Sequence, residues 1–334
     1  MRNEQFSGLT TKECVLRLLE AEKGHYVSGV KIAQETNLTK SAIWKVVNSL
    51  RKDGYVIDGL TKKGYSLIPN ENTMSESSIK RYMHMYANDV SVRTFEKTES
   101  TNTLAREFAE RGDRQFTAIV AEEQTNGRGR LGRSFYSPAG SGIYMSVILR
   151  PTLPPEKALY ITTAAAAASA EAIESVCGVK TEIKWVNDVL CDGKKVCGIL
   201  TEGSFDKNGR LSYAILGIGI NVFPPKEGFP EEISGVASHL VDEPLYELRS
   251  RLAAELLERF IFYYSSIESK PFMKSYRKRL CWIGERVDVI SGDTRTPATV
   301  LGLGDNLELE VAFDDGRRKM LSSGEVSIRR SDKK

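Results

Sequence analysis

The run Gln124-Thr-Asn-Gly127-Arg128-Gly129-Arg130-Leu131-Gly132-Arg133 decides how the rest of the chain is read. Glycines alternate with arginines, and one leucine interrupts. Glycine lets the backbone take positive φ and come close to a ligand, at an entropic cost to the free chain. Arginine presents a permanently charged planar fork that grips carboxylate or phosphate through paired hydrogen bonds. The composition describes a mobile loop able to close over an anion. A flexible basic surface loop and a weak nucleic-acid patch fit the same string, so the flanking residues have to discriminate.

Upstream, Thr117-Ala-Ile-Val-Ala121 reads as a strand that delivers Gln124 and the loop at its end. Before it, Val90-Ser-Val-Arg-Thr-Phe95 alternates as a strand and leads into Glu99-Ser100-Thr101-Asn102. Ser100 and Thr101 suit the cap of a helix from Leu104 to Arg111. Hydroxyls and an amide at a strand-to-helix junction also suit a polar ligand head group. Ser78 to about Tyr86 reads as a short helix.

Downstream, Ile143 to Leu149 is apolar enough to be a central strand, and Pro154-Pro155 opens a long alanine-rich helix to about Cys177. A strand over Thr181-Glu-Ile-Lys184 runs into Trp185-Val-Asn187-Asp188. Asp192-Gly193 then separates Val189-Leu-Cys191 from the strand Lys194 to Leu200, a hairpin signal. Ala214-Ile-Leu-Gly-Ile-Gly-Ile-Asn221 carries glycine at alternate positions, which weakens a strand unless a backbone or ligand must come close. Strands in such numbers with helices between them predict an α+β fold around a mixed, mainly antiparallel sheet.

Composition narrows the function classes. The 334 residues suffice for two or three domains, and 41% hydrophobic with 27% charged residues is ordinary for a soluble protein. With a net charge of +3, any nucleic-acid binding must come from a local patch. The polar stretch Met1 to Lys12 lacks the apolar core of a signal peptide, and Ile161 to Ala170 is too short to span a bilayer. Five scattered cysteines without a C-x-x-C pattern predict reduced thiols in a cytoplasmic protein. His25, His84 and His239 lie far apart and make no metal-ligand pattern.

The first seventy residues form a separate unit. Val15, Leu18, Leu19 and Glu22 follow helical spacing after Thr10-Thr11. Ser28 caps a second helix that ends near Asn37, and Thr39 caps a third with Ile43, Val46, Val47 and Leu50 inward. Gly54 closes it, and Tyr55-Val-Ile57 with Tyr65-Ser-Leu67 reads as a hairpin around Lys62-Lys63-Gly64. Three helices and a hairpin make a winged helix-turn-helix. On the polar face of the third helix, Lys40 and Lys45 suit phosphates, while Ser41 and Asn48 suit polar contacts; Lys62 and Lys63 sit on the wing. A solvated helix face is the alternative. Trp44 shares this face, placed either against the DNA backbone or packed on the wing. Pro69 to Ser75 is a polar, proline-containing linker. At the other end, Leu245 to about Ile267 is an amphipathic helix. Short strands follow at Arg286–Ile290, Ala298–Leu301, Leu307–Phe313 and Glu325–Ile328, with a tight turn at Asp314-Asp315-Gly316.

Four motifs, Ser100-Thr-Asn102, Gln124 with Gly127 to Arg133, Lys184-Trp-Val-Asn-Asp188 and Lys195-Val-Cys-Gly-Ile-Leu200, occur in the order seen in the biotin–protein ligases. The chain resembles that family over nearly its whole length, particularly its bifunctional members that also repress transcription. One departure is Val186, where the family usually has proline. The resemblance implies a winged helix over 1–69, a class II synthetase-like catalytic domain over 70–277 and an SH3-like β-barrel over 278–334. It implies two steps. Biotin's carboxylate attacks the α-phosphate of ATP, and a lysine of a biotin carboxyl carrier domain then attacks biotinyl-5′-AMP. Mg²⁺ would travel with the phosphates.

Under that resemblance Ser100, Thr101, Asn102, Gln124 and Gly129 would hold biotin, with Arg128, Arg130 and Lys195 offsetting charge between the two anions. Arg133, Phe135 and Asn187 would join Arg128 and Arg130 at the adenylate. Asp188 would orient the incoming amine or take its proton. Alternatives stay open: Lys195 as an exposed hairpin lysine, Asp188 as a turn former, Phe135 as core. The partners implied are carrier domains, operator DNA and a second copy in an adenylate-bound homodimer. Two rival functions share the scaffold: a ligand-sensing repressor without ligase activity, and a lipoate or octanoate ligase.

Overall fold

The computed structural model describes residues 10–52, 55, 57–68, 74–243, 247–322 and 326–330. Gly54, Val56, residues 69–73 of the linker, Leu245 and Glu325 lie outside them.

Three helices, α1 (Thr11–Ala21), α2 (Gly29–Thr36) and α3 (Lys40–Lys52), precede the hairpin of β1 (Ile57–Leu60) and β2 (Gly64–Leu67). Local chemistry sets their ends. Thr10 and Glu13 form a capping box on α1, and the Ser28 hydroxyl accepts from Lys31 N at 3.1 Å at the start of α2. Asn37 ends α2 at φ 57° in the left-handed region. Val15, Leu19, Ile32, Ile43, Val47, Leu50 and Leu67 fill one small core. The wing lies against the bundle because Val27 and Tyr65 exchange backbone hydrogen bonds of 2.8 and 3.0 Å. A Cβ at Gly64, whose φ is 107°, would stand 2.0 Å from Val27 O, so only glycine fits there.

The central unit is a seven-stranded sheet with α4 (Glu76–Lys80), shorter than the expected helix to Tyr86, beside its start. Its strands are β3 (Ser91–Thr98), β4 (Thr117–Gln124), β5 (Gly142–Leu149), β6 (Glu182–Lys184), β7 (Asp188–Cys191), β8 (Lys194–Phe205) and β9 (Leu211–Asn221). They run in the order β3-β4-β5-β9-β8-β7-β6. Only β3 and β4 are parallel. Helix α5 (Thr101–Glu110) is the crossover between them, as parallel neighbours require.

Alternation on the strands sorts the two faces. Ala214, Leu216, Ile218 and Ile220 of β9 join Ile143, Met145 and Val147 of β5 beneath α6 (Leu159–Cys177) and α8 (Leu248–Ser265), in the main core. The opposite face carries Ile119, Ile148, Tyr213 and Ile215, covered by Ala105 and Ala109 of α5. On β9 this second face continues as Gly217 and Gly219, where the lack of a Cβ lets Asn102 and Phe135 come close over the sheet. The hollow left there is the site.

Short helices α7 (Glu231–Ser234) and α9 (Met273–Arg279) complete this part. The tail is an antiparallel sheet of β10 (Arg286–Ser291), β11 (Thr294–Leu303), β12 (Leu309–Phe313), β13 (Arg318–Leu321) and β14 (Val326–Arg330), ordered β13-β12-β11-β10-β14. It accounts for the expected SH3-like unit with one strand more, β13, than the sequence suggests. The tail is braced to the central sheet. Trp185 Nε1 donates to Leu307 O at 3.0 Å, and Cys281 N donates to Ile183 O at 3.0 Å. No helix among the described residues is long and apolar enough to cross a membrane.

Candidate active site and nucleic-acid face

The hollow over Gly217 and Gly219 is open at one side and walled by Ser100, Thr101, Gln124, Arg128, Arg130 and Lys195. Asn102, Gly129, Phe135 and Asn187 also line it. Four segments distant in sequence therefore meet in one place.

The first turn of α5 makes one wall. Ser100 occupies the N-cap position, yet its side chain makes no capping hydrogen bond. The expectation that Ser100 caps the helix is corrected here. Gln124 from β4 does so instead: its Oε1 accepts from Thr101 N at 2.8 Å and from Thr101 Oγ1 at 3.0 Å. Gln124 Nε2 donates to Ser137 Oγ at 2.9 Å, which fixes the amide's orientation. Ser100 thus keeps its hydroxyl for the cavity it lines.

Asn102 serves the wall. Its Nδ2 donates to Glu202 Oε2 at 2.8 Å, and its Oδ1 accepts from Ser146 Oγ at 2.6 Å. Ser146 Oγ also lies 2.7 Å from Thr101 Oγ1. Glu202 and Ser146 carry no motif, and the sequence reading misses both. The available signal was a polar residue in an otherwise apolar strand, as at Ser146 in Ile143 to Leu149.

The glycine–arginine loop lies across the opening as a narrow ribbon. Gly129 N donates to Arg133 O at 2.7 Å, and Phe135 N to Gly127 O at 2.8 Å. Leu131 turns the tip at φ 55°. Arg128 and Arg130 point to different partners. Arg128 Nη1 lies 3.3 Å from Glu202 Oε1. Arg130 Nη1 donates to Asn187 Oδ1 at 3.1 Å, and burial lowers its pKa against the pull of nearby Asp188. Arg133 is exposed and stays outside the cavity, so its backbone rather than its guanidinium shapes the site.

The Lys184 to Asp188 motif and the hairpin after it supply the far wall. Asn187 Nδ2 donates to Ile199 O at 2.8 Å, so its oxygen is turned to Arg130. The Trp185–Val186 peptide is cis, and Tyr276 OH donates to Val186 O at 3.1 Å. Lys195 Nζ stands 2.6 Å from Asp188 Oδ1 and 5.9 Å from the centroid of Phe135. Lys195 is therefore a pocket residue rather than a free hairpin lysine. Its backbone is gripped by the segment 236–238: Lys195 N donates to Val236 O at 2.8 Å, and Ser238 N to Lys195 O at 2.9 Å. Phe135 lies over Gly219 and Gly198 and meets Tyr144 edge-on, with centroids 6.4 Å apart. Cys197, in the same motif, is fully buried, and burial pushes its thiol up to about 12. It stays protonated and is no nucleophile.

Three cations thus surround one cavity, and each has an oxygen partner that an incoming anion can replace. Such an arrangement can bring two anions together and hold charge developing between them.

On the winged helix, Lys40, Ser41, Trp44 and Lys45 are exposed on α3, and Lys62 and Lys63 on the wing. Trp44 is 57% exposed and flanks a groove with Lys40, Leu60 and Lys62. It belongs to no hydrophobic core among the described residues and sits between helix and wing. Asn48 Oδ1 accepts from Arg51 Nη1 at 3.1 Å, while Arg51 also donates to Ile57 O at 2.9 and 2.7 Å. Arg51, absent from the sequence reading, ties the third helix to the wing.

Residues 94–221 match the biotin/lipoate A/B protein ligase family, and residues 12–66 match a helix-turn-helix domain. The chain is 37% identical over 238 residues to the bifunctional ligase/repressor BirA of Bacillus spizizenii, covering 69% of this chain and 71% of that one. To the bifunctional ligase/repressor BirA of Escherichia coli K12 it is 27% identical over 320 residues, 93% and 95% of the two chains. The biotin protein ligase from Aquifex aeolicus, solved with biotin and ATP, aligns with a TM-score of 0.60 at 29% identity, over 72% of this chain and 99% of that one.

Proposed function

The chain belongs to the biotin/lipoate A/B protein ligase family, among its bifunctional ligase/repressors, and from this premise we propose how its residues divide the work. The protein is an ATP-dependent biotin–protein ligase joined to a DNA-binding repressor domain. The observation that carries the assignment is the convergence of Arg128, Arg130 and Lys195 on a hollow floored by Gly217 and Gly219.

In the first step a carboxylate oxygen of biotin forms a bond to the α-phosphorus of ATP, and pyrophosphate leaves. Two anions meet, so local positive charge lowers the barrier. Arg128 and Lys195 bracket the carboxylate, and Arg130, held by Asn187, faces the phosphorus. Ser100, Thr101 and Gln124 supply hydrogen bonds to the ureido ring, with Gly129 presenting backbone beside it. Phe135 gives an aromatic face for the adenine. Magnesium would be carried by the phosphates of ATP and would offset their charge. In the second step the acceptor lysine's nitrogen attacks the acyl carbon, AMP leaves with the bonding electron pair, and the amine loses a proton. Once Lys195 shifts to the acyl phosphate, Asp188 is free to orient that amine or accept the proton.

Acceptors are lysines of biotin carboxyl carrier domains, and the reaction takes place in the cytoplasm. The adenylate-bound lid favours a homodimer that sets two winged helices on a two-fold operator. Such coupling requires the adenylate to bind the dimer-competent state more tightly.

The test incubates the protein with ATP, Mg²⁺, an apo carrier domain and either biotin or lipoate, then weighs the carrier by mass spectrometry. Biotin addition at one lysine is expected. Lipoate addition alone would make it a lipoyl ligase, and no addition from either acid would leave a ligand-sensing repressor. For the dimer, sedimentation with and without biotin plus ATP is expected to differ; identical profiles would refute the switch.

A further inference from the structure

Glu202 stands just outside the cavity lining, as a carboxylate paired with one of the arginines that line it. It projects from β8, and its side chain is 21% exposed. Its Oε2 accepts from Asn102 Nδ2 at 2.8 Å. Its Oε1 meets two guanidiniums, Arg106 Nη2 at 3.0 Å and Arg128 Nη1 at 3.3 Å. Asn102 and Arg106 sit one turn apart on α5, a rigid element packed on the sheet. Arg128 belongs to the lid, and its side chain is 44% exposed.

The partners are therefore unequal. Two come from the scaffold helix, while the third comes from a loop, sits farther off and is not needed to neutralise the carboxylate. We infer that Glu202 is a positioning residue that holds Arg128 of the lid in the ligand-free enzyme and competes with the substrate carboxylate for it. This rests on the biotin-ligase reading of the site.

The physics favours a reversible exchange. Losing Arg128 to a ligand leaves Glu202 still paired with Arg106 and hydrogen-bonded to Asn102, so no bare charge is stranded in the wall. The half-exposed Arg128 pair is weak, and a carboxylate that reaches the cavity can displace it.

The test is a double-mutant cycle on biotin affinity, measured by titration calorimetry on the full chain. Glu202→Gln keeps an oxygen for Asn102 and removes the charge. It is expected to lower the biotin Kd about two- to five-fold, the range of a half-exposed ion pair. In the Arg128→Ala background the same change is expected to leave Kd where it was. Glu202→Asp, which withdraws the carboxylate by one methylene, should shift Kd in the same direction by less, and serves as the readout if the glutamine variant folds poorly. Unchanged or weaker binding in both variants would overturn the inference, as would an equal shift with and without Arg128. If the unaltered protein takes up no biotin, the ligase reading falls first and this inference with it; biotin uptake without coupling removes the inference alone.

Discussion

Replacing Gly217 by alanine places a methyl group 2.2 Å from Asn102 Oδ1, 2.9 Å from its Cγ and 3.1 Å from its Nδ2. Gly217 lies outside the left-handed region, so alanine's backbone is comfortable there, and the whole penalty is the collision. The first distance is about 1 Å inside ordinary contact. Asn102 must leave, and its hydrogen bonds to Glu202 and from Ser146 go with it. Two buried hydrogen bonds lost with partners left behind cost about 2–3 kcal/mol together. Reduced freedom of the unfolded chain offsets about 0.4–1 kcal/mol of that. A net loss of about 1–2.5 kcal/mol follows, a fall of several degrees in melting temperature for a domain of this size. The displaced amide also enters the cavity, so biotin should bind about tenfold or more weakly, roughly 1.4 kcal/mol. Calorimetry for affinity and a thermal melt for stability read the two effects separately. The decisive arm is Asn102→Ala, which removes the obstacle. In that background Gly217→Ala should cost little stability. An equal cost in both backgrounds would refute the steric reasoning.

Arg130→Ala is expected to slow adenylate formation about 10²–10³-fold, the usual loss of a donor aimed at developing charge, read by biotin-dependent pyrophosphate exchange. Lys195→Ala should fall similarly in exchange and should also abolish transfer to the carrier. Lys45→Ala should weaken DNA binding across sequences and lower the salt slope of binding by about one, measured by fluorescence anisotropy at several salt concentrations. Glu174, which accepts hydrogen bonds from Arg279 at 3.0 and 2.6 Å and from Thr181 at 3.2 and 2.8 Å, has its pKa lowered to about 2, chiefly by Arg279. Because the folded pKa lies below the unfolded one, its contribution is complete above pH 4.5 and is lost as pH falls towards 2. Glu174→Gln should therefore cost about 1–2 kcal/mol at neutral pH, after discounting for solvent, and flatten that part of the melting profile.

What could be read in advance was local. Capping at Thr10, Ser28 and Thr39 depends on residues three positions apart, and the Asp192-Gly193 turn needs only two adjacent positive φ angles, 50° and 75°. Alternate glycines in β9 announced a close approach because strand periodicity is fixed at two. The missing parts required register. Glu202 reaches Asn102 and Arg106 of α5 because β8 pairs with β9 so that Glu202 stands opposite Ile215 and Gly198 opposite Gly219. No spacing within β8 states that. Gln124 replaced Ser100 as the helix cap for the same reason: β4 ends beside the start of α5, 23 residues back along the chain. β13 was missed because Arg318-Lys319 looks like solvated loop, and its place beside β12 is set by register. Arg133 sat in the right motif but on the outer side of the ribbon, a distinction set by the turn at Leu131.

The indole of Trp185 finds its hydrogen-bond acceptor at Leu307, 122 residues later. The turn that carries Asn187 and Asp188 is thus braced by a residue far along the chain from the sheet that floors the cavity. A chain halted before Leu307 would hold the substrate-binding floor without a firmly seated catalytic edge.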